Sequence, residues 1–298
     1  MVEEPMISVG VMAVERAFDF RLIGTFKAGG RVSLSPGQYS ARLDGGRISL
    51  LDKDGGVVLE DHSICLLPEV PGESRVVLRR VPVGTGFHWQ QRQDLLFQGE
   101  FHIRPIDGKR LQVINRLRLE TYLSSVVGSE MSGTAPLEFL KAHAVISRSW
   151  ALRKMRRKGR PAPSGPSPPQ PTNEETILCW TGAEIHQGFD VCADDHCQRY
   201  RGILGHATSA SERAVQETRG EVLTHDHEIC DTRYSKCCGG MTENFSTAWD
   251  DRDTPYLRGL PDNDGSPTGF CFPLSLEENA RVWITGFPDA FCNTRDRQ

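Results

Sequence analysis

The sequence predicts an α+β fold, mostly antiparallel β with a central helical hairpin at about 117–158. Two observations predict it. Short apolar stretches alternate with Gly- and Asp-rich turns through the first ~100 residues. The apolar spacing then changes from strand-like to helical, with Leu119, Tyr122, Leu123, Val126 and Val127 on one face.

The apolar stretches at 7–11, 18–23, 48–51, 57–59 and 74–78 read as strands. Ala28-Gly-Gly30, Ser35-Pro-Gly37, Asp44-Gly-Gly46 and Asp54-Gly-Gly56 supply the hairpin turns. Residues 97–103 and 111–114 continue the pattern around Asp107-Gly108. A helix follows over 119–131 and ends at Ser132-Gly-Thr134. Ser132 or Thr134 caps a second helix, with Pro136 in its first turn and Glu138 near its positive end. That helix runs to about 158 and ends in Arg153, Lys154, Arg156, Arg157 and Lys158, cations that suit a solvated helix C-terminus. Six prolines in 161–172 exclude a helix or central strand there. Residues 214–223 and 229–235 read as strands, and the chain from 250 on as irregular.

Composition bounds the function. The 298 residues suffice for one large domain or two ordinary ones, and 38% hydrophobic with 25% charged residues excludes wholesale disorder. The 35 Lys and Arg against 39 Asp and Glu give a net charge of −4, so no nucleic-acid partner is expected. No apolar run reaches the ~18–20 residues of a membrane span. The N-terminus lacks a basic region followed by a long apolar stretch and does not read as a signal peptide, so the expectation is either a cytoplasmic protein or an export signal removed from this sequence. Nine cysteines cannot all pair within one chain, and they are too sparse for a small disulfide scaffold.

Four places carry candidate chemistry. Glu130 falls three residues after Val127 and seven after Leu123, on the apolar helix face. A carboxyl in that setting resists ionisation and suits general acid work; the alternative is a helix-terminal Glu reaching water. Arg148 shares a face with Leu137, Lys141, Ala144 and Ala151, so it either finds a buried anion such as Glu130 or snorkels to the surface. His186, Cys192, His196 and Cys197 bring imidazole and thiol ligands into twelve residues, a set suited to tetrahedral zinc. A Cys192–Cys197 disulfide or free thiols are the alternatives, and adjacent His196 and Cys197 need a sharp bend to share one ion. Cys237 or Cys238 supplies a further candidate ligand. Finally, Tyr234, Ser235, Lys236, Gly239, Gly240, Thr242 and Glu243 place hydroxyl, ammonium and bare backbone together, against the alternative of an ordinary strand and glycine turn.

In order, these segments resemble the SpoIID/LytB family of bacterial cell-wall proteins. The likeness rests on Gln112 to Met131 (QVINRLRLETYLSSVVGSEM), Pro136 to Leu152 (PLEFLKAHAVISRSWAL) and Asp190 to Gly202 (DVCADDHCQRYRG). It continues through Ala214 to Leu223 (AVQETRGEVL), Tyr234 to Glu243 (YSKCCGGMTE) and Pro255-Tyr-Leu257 with Asp262. It covers about 97–262, with a weaker likeness at Ile7-Ser-Val-Gly10. The resemblance implies an N-terminal β-rich region over 1–96 and a SpoIID-like catalytic domain over 97–298, with a Pro-rich insertion at 159–175 and the helical hairpin flanking a glycan-binding cleft.

It further implies a lytic transglycosylase that cleaves the bond between N-acetylmuramic acid and N-acetylglucosamine in peptide-free glycan strands, leaving 1,6-anhydro ends. Glu130 is then the catalytic acid/base. Arg148 orients Glu130 or binds sugar, and His143 and the Tyr234–Glu243 residues contact substrate. The partners are peptidoglycan glycan strands and a cell-wall amidase, since some members act as non-catalytic amidase enhancers. The location is extracytoplasmic. Zinc is expected to be structural, because a Cys-rich set lacks the open position of a hydrolytic site. His143, Ser147, Ser149 and Trp150 depart from the Gln, Ala, Thr and Tyr usual in the family, and Cys237-Cys238 stand where Ser or Ala often occur.

Overall fold

The computed structural model describes residues 3–86, 88–156, 186, 188–203, 209–235, 237–249, 253–265 and 269–293. The Pro-rich stretch at 159–175 and Lys236 lie outside the described residues. Those described form two compact units, one of residues 3–156 with 186–231 and one of residues 232–293.

In the first unit, twelve strands precede the first helix. They are β1 (Met6–Glu15), β2 (Ala17–Ile23), β3 (Phe26–Ala28), β4 (Val32–Leu34), β5 (Gly37–Asp44), β6 (Arg47–Asp52), β7 (Val57–Asp61), β8 (Ile64–Pro68), β9 (Arg75–Val83), β10 (Gln91–Phe97), β11 (Glu100–Ile106) and β12 (Arg110–Arg118). After the helices comes β13 (Val191–Cys192). One sheet has the order β13-β1-β12-β11-β8-β3-β4 and the other β10-β9-β2-β5-β6-β7. Every pairing is antiparallel except β1 with β13.

Alternation along the strands decides which face is buried. In β2, Phe18, Phe20 and Leu22 turn inward while Ala17, Asp19, Arg21 and Ile23 face out. Inward residues of both sheets, among them Phe20, Leu78, Phe97 and Phe101, join one apolar core. The expected single stretch at 97–103 is two strands, because Gly99 turns the chain between β10 and β11 with φ 97°. A Cβ at Gly99 would also lie 2.6 Å from the Arg116 carbonyl oxygen, so only glycine fits.

The sheets also correct the expected boundary at 96/97. β12 pairs with β1, and β11 with β8, so residues on both sides of that point share one sheet. The division between units instead falls after residue 231.

The helical hairpin is α1 (Leu119–Glu130) and α2 (Leu137–Arg156). The segment at 214–223, expected as a strand, begins inside a third helix, α3 (Ser209–Glu217). Ser211, Ala214, Val215 and Thr218 are buried at helical spacing, which overrides the local strand-like composition. The expected strand at 229–235 shrinks to the hairpin β14 (Thr224–His225) and β15 (Glu228–Ile229). In the second unit α4 (Phe245–Ala248) and α5 (Glu277–Thr285) add helix where irregular chain was expected.

Polar groups on α2 bind these elements together. Arg148 is 1% exposed and donates from Nε and Nη2 to the two carboxylate oxygens of Glu120 in α1, at 3.0 and 2.7 Å. It also donates to the carbonyls of Val215 in α3 and Glu221 beyond it, at 3.3 and 3.1 Å. Ser149 Oγ accepts the Leu223 N–H at 2.9 Å, and Arg153 donates to the Ile229 carbonyl at 2.6 Å. The anion expected for Arg148 was Glu130; it is Glu120, because the bidentate fork is directed at the first turn of α1.

Truncating Arg148 takes the partner from the Glu120 carboxylate and from two backbone carbonyls. Arg148→Ala is expected to lower stability by about 3–5 kcal/mol, read from urea unfolding followed by circular dichroism; a loss below about 1 kcal/mol, the scale of an exposed pair, would contradict a buried role.

Candidate functional site

The site is built around residues 188–201, which run from β1 to α1. Asp190 fastens one end: its carboxylate accepts the Ser8 N–H at 2.8 Å and the Ser8 hydroxyl at 2.5 Å. β13 then pairs in parallel with Val9 and Gly10. Gly10 carries no side chain because a Cβ there would lie 2.7 Å from the Phe189 ring. At the other end Tyr122 donates to Gln198 Oε1 at 3.0 Å, and Tyr200 donates to Asn115 Oδ1 at 2.7 Å. Asn115, fully buried in β12, uses its amide N–H groups on the carbonyls of Gln98 and Glu100, both at 3.0 Å. Burial raises the Tyr200 phenol above its ordinary range, so it stays a donor.

Between these anchors the chain turns sharply, with the Cys197 N–H donating to the Asp194 carbonyl at 2.9 Å. This turn supplies the bend that adjacent His196 and Cys197 require. One ligand atom from each of His186, Cys192, His196 and Cys197 lies within 4.8 Å of the others. Cys197 Sγ is 3.5 Å from both His186 Nε2 and His196 Nδ1, and Cys192 Sγ is 3.8 Å from His196 Nδ1. Sulfur–nitrogen edges of a zinc tetrahedron, with Zn–S about 2.3 Å and Zn–N about 2.0 Å, come to about 3.5 Å. The donor set and its spacing therefore fit the ion. The Cys197 thiol donates toward Cys192 and pulls the Cys192 thiol far below its ordinary range, while the same bond raises Cys197. One sulfur of the pair thus gives up its proton readily.

Glu130 is the last residue of α1 and follows the buried run Val126, Val127 and Gly128. It is half-buried, and its Oε1 accepts the Arg199 N–H at 2.8 Å. Arg199 is held in turn by Asp195 at 2.9 Å and by its guanidinium lying 5.4 Å from the centre of the Trp89 ring. The Arg201 N–H donates to Ser125 Oγ at 3.2 Å, on the same helix as Glu130. The carboxyl is thereby oriented by the segment that carries the His–Cys cluster.

Two expected substrate contacts, Arg148 and His143, lie in the interior. Arg148 is spent on Glu120 and backbone carbonyls. His143, 2% exposed, lies 3.4 Å from Ser147 Oγ, and burial pushes its pKa down to about 4. Both side chains are buried.

Residues 234–243 belong to the second unit and, among the described residues, carry an isolated bridge, Met241 with Pro261, in place of the expected strand. Tyr234 is half-buried, and Ser235, Gly239, Thr242 and Glu243 are exposed. Gly240 is buried at φ 91°, where a Cβ would lie 3.0 Å from Trp283. Thr242 Oγ1 accepts the Leu260 N–H and donates to the Arg258 carbonyl, both at 2.8 Å. Lys236 lies outside the described residues.

Residues 107–225 match the SpoIID family model, described as Stage II sporulation protein. The chain is 26% identical over 150 residues to Stage II sporulation protein D of Bacillus subtilis, a stretch covering 50% of this chain and 40% of that protein. It is 24% identical over 156 residues to the Amidase enhancer of the same organism, covering 52% of this chain and 17% of that one. An uncharacterized protein of Brachyspira hyodysenteriae is 28% identical over 148 residues, covering 50% and 33%. The chain thus spans less than half the length of these curated relatives. The matched residues, which include Glu130 and the His–Cys cluster, are similar to the SpoIID family.

Sequence reasoning did not single out Asn115, Tyr122, Gln198, Arg199 or Tyr200 as parts of the site. A usable signal was present in Asn115, an uncharged polar residue inside an apolar strand run. Such a residue must find partners within the fold.

His143 makes stability depend on pH. Its folded pKa of about 4 lies below the ordinary 6.5, so the neutral form is favoured in the native state. The contribution is complete above pH 6.5 and is lost as pH falls toward 4, amounting to roughly 3 kcal/mol. The urea midpoint of His143→Gln is expected to fall less than that of the wild type between pH 7 and pH 4; parallel curves would remove His143 as the cause.

Proposed function

We propose that the chain is a peptidoglycan lytic transglycosylase acting outside the cytoplasmic membrane on glycan strands, chiefly those stripped of stem peptides. The observation that carries this reading is the half-buried Glu130 carboxyl, fixed at the end of α1 by the Arg199 N–H. In this reading protonated Glu130 gives its proton to the oxygen joining N-acetylmuramic acid to N-acetylglucosamine. As the bond breaks, the C6 hydroxyl of the muramic acid closes on C1 and returns its proton to Glu130, so the carboxyl ends as it began. Because no water is activated, the second carboxylate of an ordinary glycoside hydrolase is not needed. Tyr234, Ser235, Lys236, Gly239, Gly240, Thr242 and Glu243 are proposed to bind glycan on the second unit.

His186, Cys192, His196 and Cys197 are proposed to hold zinc. Bound there, zinc cross-links the segment and supplies structure rather than an open catalytic position. The chain's own residues then convert that rigidity into a fixed place for Arg199 and so for Glu130.

A second reading is favoured by the relative named Amidase enhancer: a non-catalytic module that binds glycan and stimulates an N-acetylmuramoyl-L-alanine amidase. The two readings differ in their need for Glu130.

Purified chain incubated with peptide-free glycan strands is expected to release 1,6-anhydro products detectable by mass spectrometry. Glu130→Gln is expected to lower the rate by about 100-fold or more, the scale of a lost general acid. Absence of anhydro products from the wild type, or equal activity in the variant, would overturn the enzymatic reading; amidase stimulation that survives in Glu130→Ala would support the second. Cys197→Ser is expected to remove one zinc per chain by elemental analysis and to lower activity, while the far-ultraviolet spectrum of the two sheets is retained. Full activity in a metal-free chain would contradict the structural role of the ion.

A further inference from the structure

The second unit gathers another set of donors. Cys238 Sγ lies 3.2 Å from Asp262 Oδ2 and 3.7 Å from Cys292 Sγ, and the three ligand atoms fall within 4.8 Å of one another. They come from three separate stretches of chain held in register by the backbone. Met241 bridges Pro261, the Asp262 N–H donates to the Gly240 carbonyl at 2.9 Å, and the Phe291 N–H donates to the Asp262 carbonyl at 2.8 Å. Trp283 Nε1 donates to the Gly239 carbonyl at 3.0 Å and so fixes the turn that follows Cys238. The donors are therefore placed by the fold around them, as a binding site requires.

We propose that Cys238, Asp262 and Cys292 form a metal site for a thiophilic divalent cation, zinc above all. A disulfide would need the two sulfurs about 2.05 Å apart. The observed 3.7 Å matches the sulfur–sulfur edge of a zinc tetrahedron, about 3.8 Å for Zn–S bonds of about 2.3 Å. The corresponding sulfur–oxygen edge is about 3.5 Å, near the observed 3.2 Å. Two thiols with one carboxylate favour zinc over magnesium or calcium, which take oxygen ligands. Binding releases the thiol protons of Cys238 and Cys292 to solvent and sets a double positive charge against two thiolates and a carboxylate. The sequence suggested Cys238 as a further ligand for the His–Cys cluster of the first unit; its neighbours assign it to this second set. An ion here ties the Gly239-Gly240 turn to the 290–292 segment.

The test is the metal content of the full chain, purified under reducing conditions without chelator, with zinc as the probe. The double variant Cys238→Ser, Cys292→Ser is expected to carry one zinc per chain fewer than the wild type, while Cys192 and Cys197 remain intact. Asp262→Asn, which preserves shape, is expected to weaken zinc binding by at least about tenfold in competition with a chromophoric chelator, the lower end of the effect of losing even a ligand's supporting partner. Should the cysteine variant lose its fold by circular dichroism, the Asp262→Asn titration decides alone. Unchanged zinc content in the folded cysteine variant, unchanged affinity in Asp262→Asn, or a Cys238–Cys292 cross-link in a non-reducing peptide map of anaerobically purified protein would overturn the proposal.

Discussion

The arrangement of the three helices in the first unit depends on one buried guanidinium. Arg148 meets the Glu120 carboxylate on α1, the Val215 carbonyl on α3 and the Glu221 carbonyl beyond it. A buried ion pair of this kind adds little net stability compared with well-packed apolar side chains, yet it is costly to break from one side. Its effect here is geometric. Glu120 stands in the first turn of α1, so fixing it fixes the axis along which Glu130 is carried ten residues later. The first turn has other anchors: the Glu4 carboxylate accepts the Glu120 N–H at 3.0 Å, and the Pro5 carbonyl accepts that of Leu119. The beginning of α1 is thus held by several independent bonds, while its end is held by Arg199.

Those two ends are reached by different physics. The first is set by charge in a dry interior, where a bidentate pair tolerates little displacement. The second is set by a short irregular segment whose own order comes from its anchors: Asp190 on β1, Tyr200 on Asn115, Tyr122 on Gln198, and the converging His and Cys side chains. Irregular backbone can position a carboxyl only when so constrained, which accounts for the density of side-chain bonds over so few residues. The helix supplies direction and the segment supplies orientation.

Periodicity made the strands, the hairpin turns and α1–α2 legible from the sequence, because apolar alternation and the Asp-Gly-Gly turns are local signals. α3 was misread because the segment at 214–223 looks strand-like in isolation, and only the burial of Ala214 and Val215 in the core reveals the helical face. The convergence of His186 with Cys197 was legible as a spacing. The bend that allows adjacent His196 and Cys197 to converge was not, since it depends on the Asp194 turn. The partner of Arg148 was likewise hidden: Glu120 and Glu130 are both on the preceding helix, and only the tertiary position of α2 chooses between them. The apposition of Cys238 with Cys292 depends on contacts across 54 positions, which no local pattern encodes.

The parallel strand β13 has a consequence beyond holding ligands. It covers part of the outer rim of the seven-stranded sheet: Asp190 and Ala193 donate to the carbonyls of Ser8 and Gly10, and Val191 and Cys192 lie alongside Val9 and Gly10. Without that cover, β1 would present unpaired amide groups to any passing polypeptide and become a template for intermolecular ribbon growth. The short stretch that orients Glu130 therefore also guards the chain against self-association, and damage to its cysteines would threaten solubility as well as chemistry.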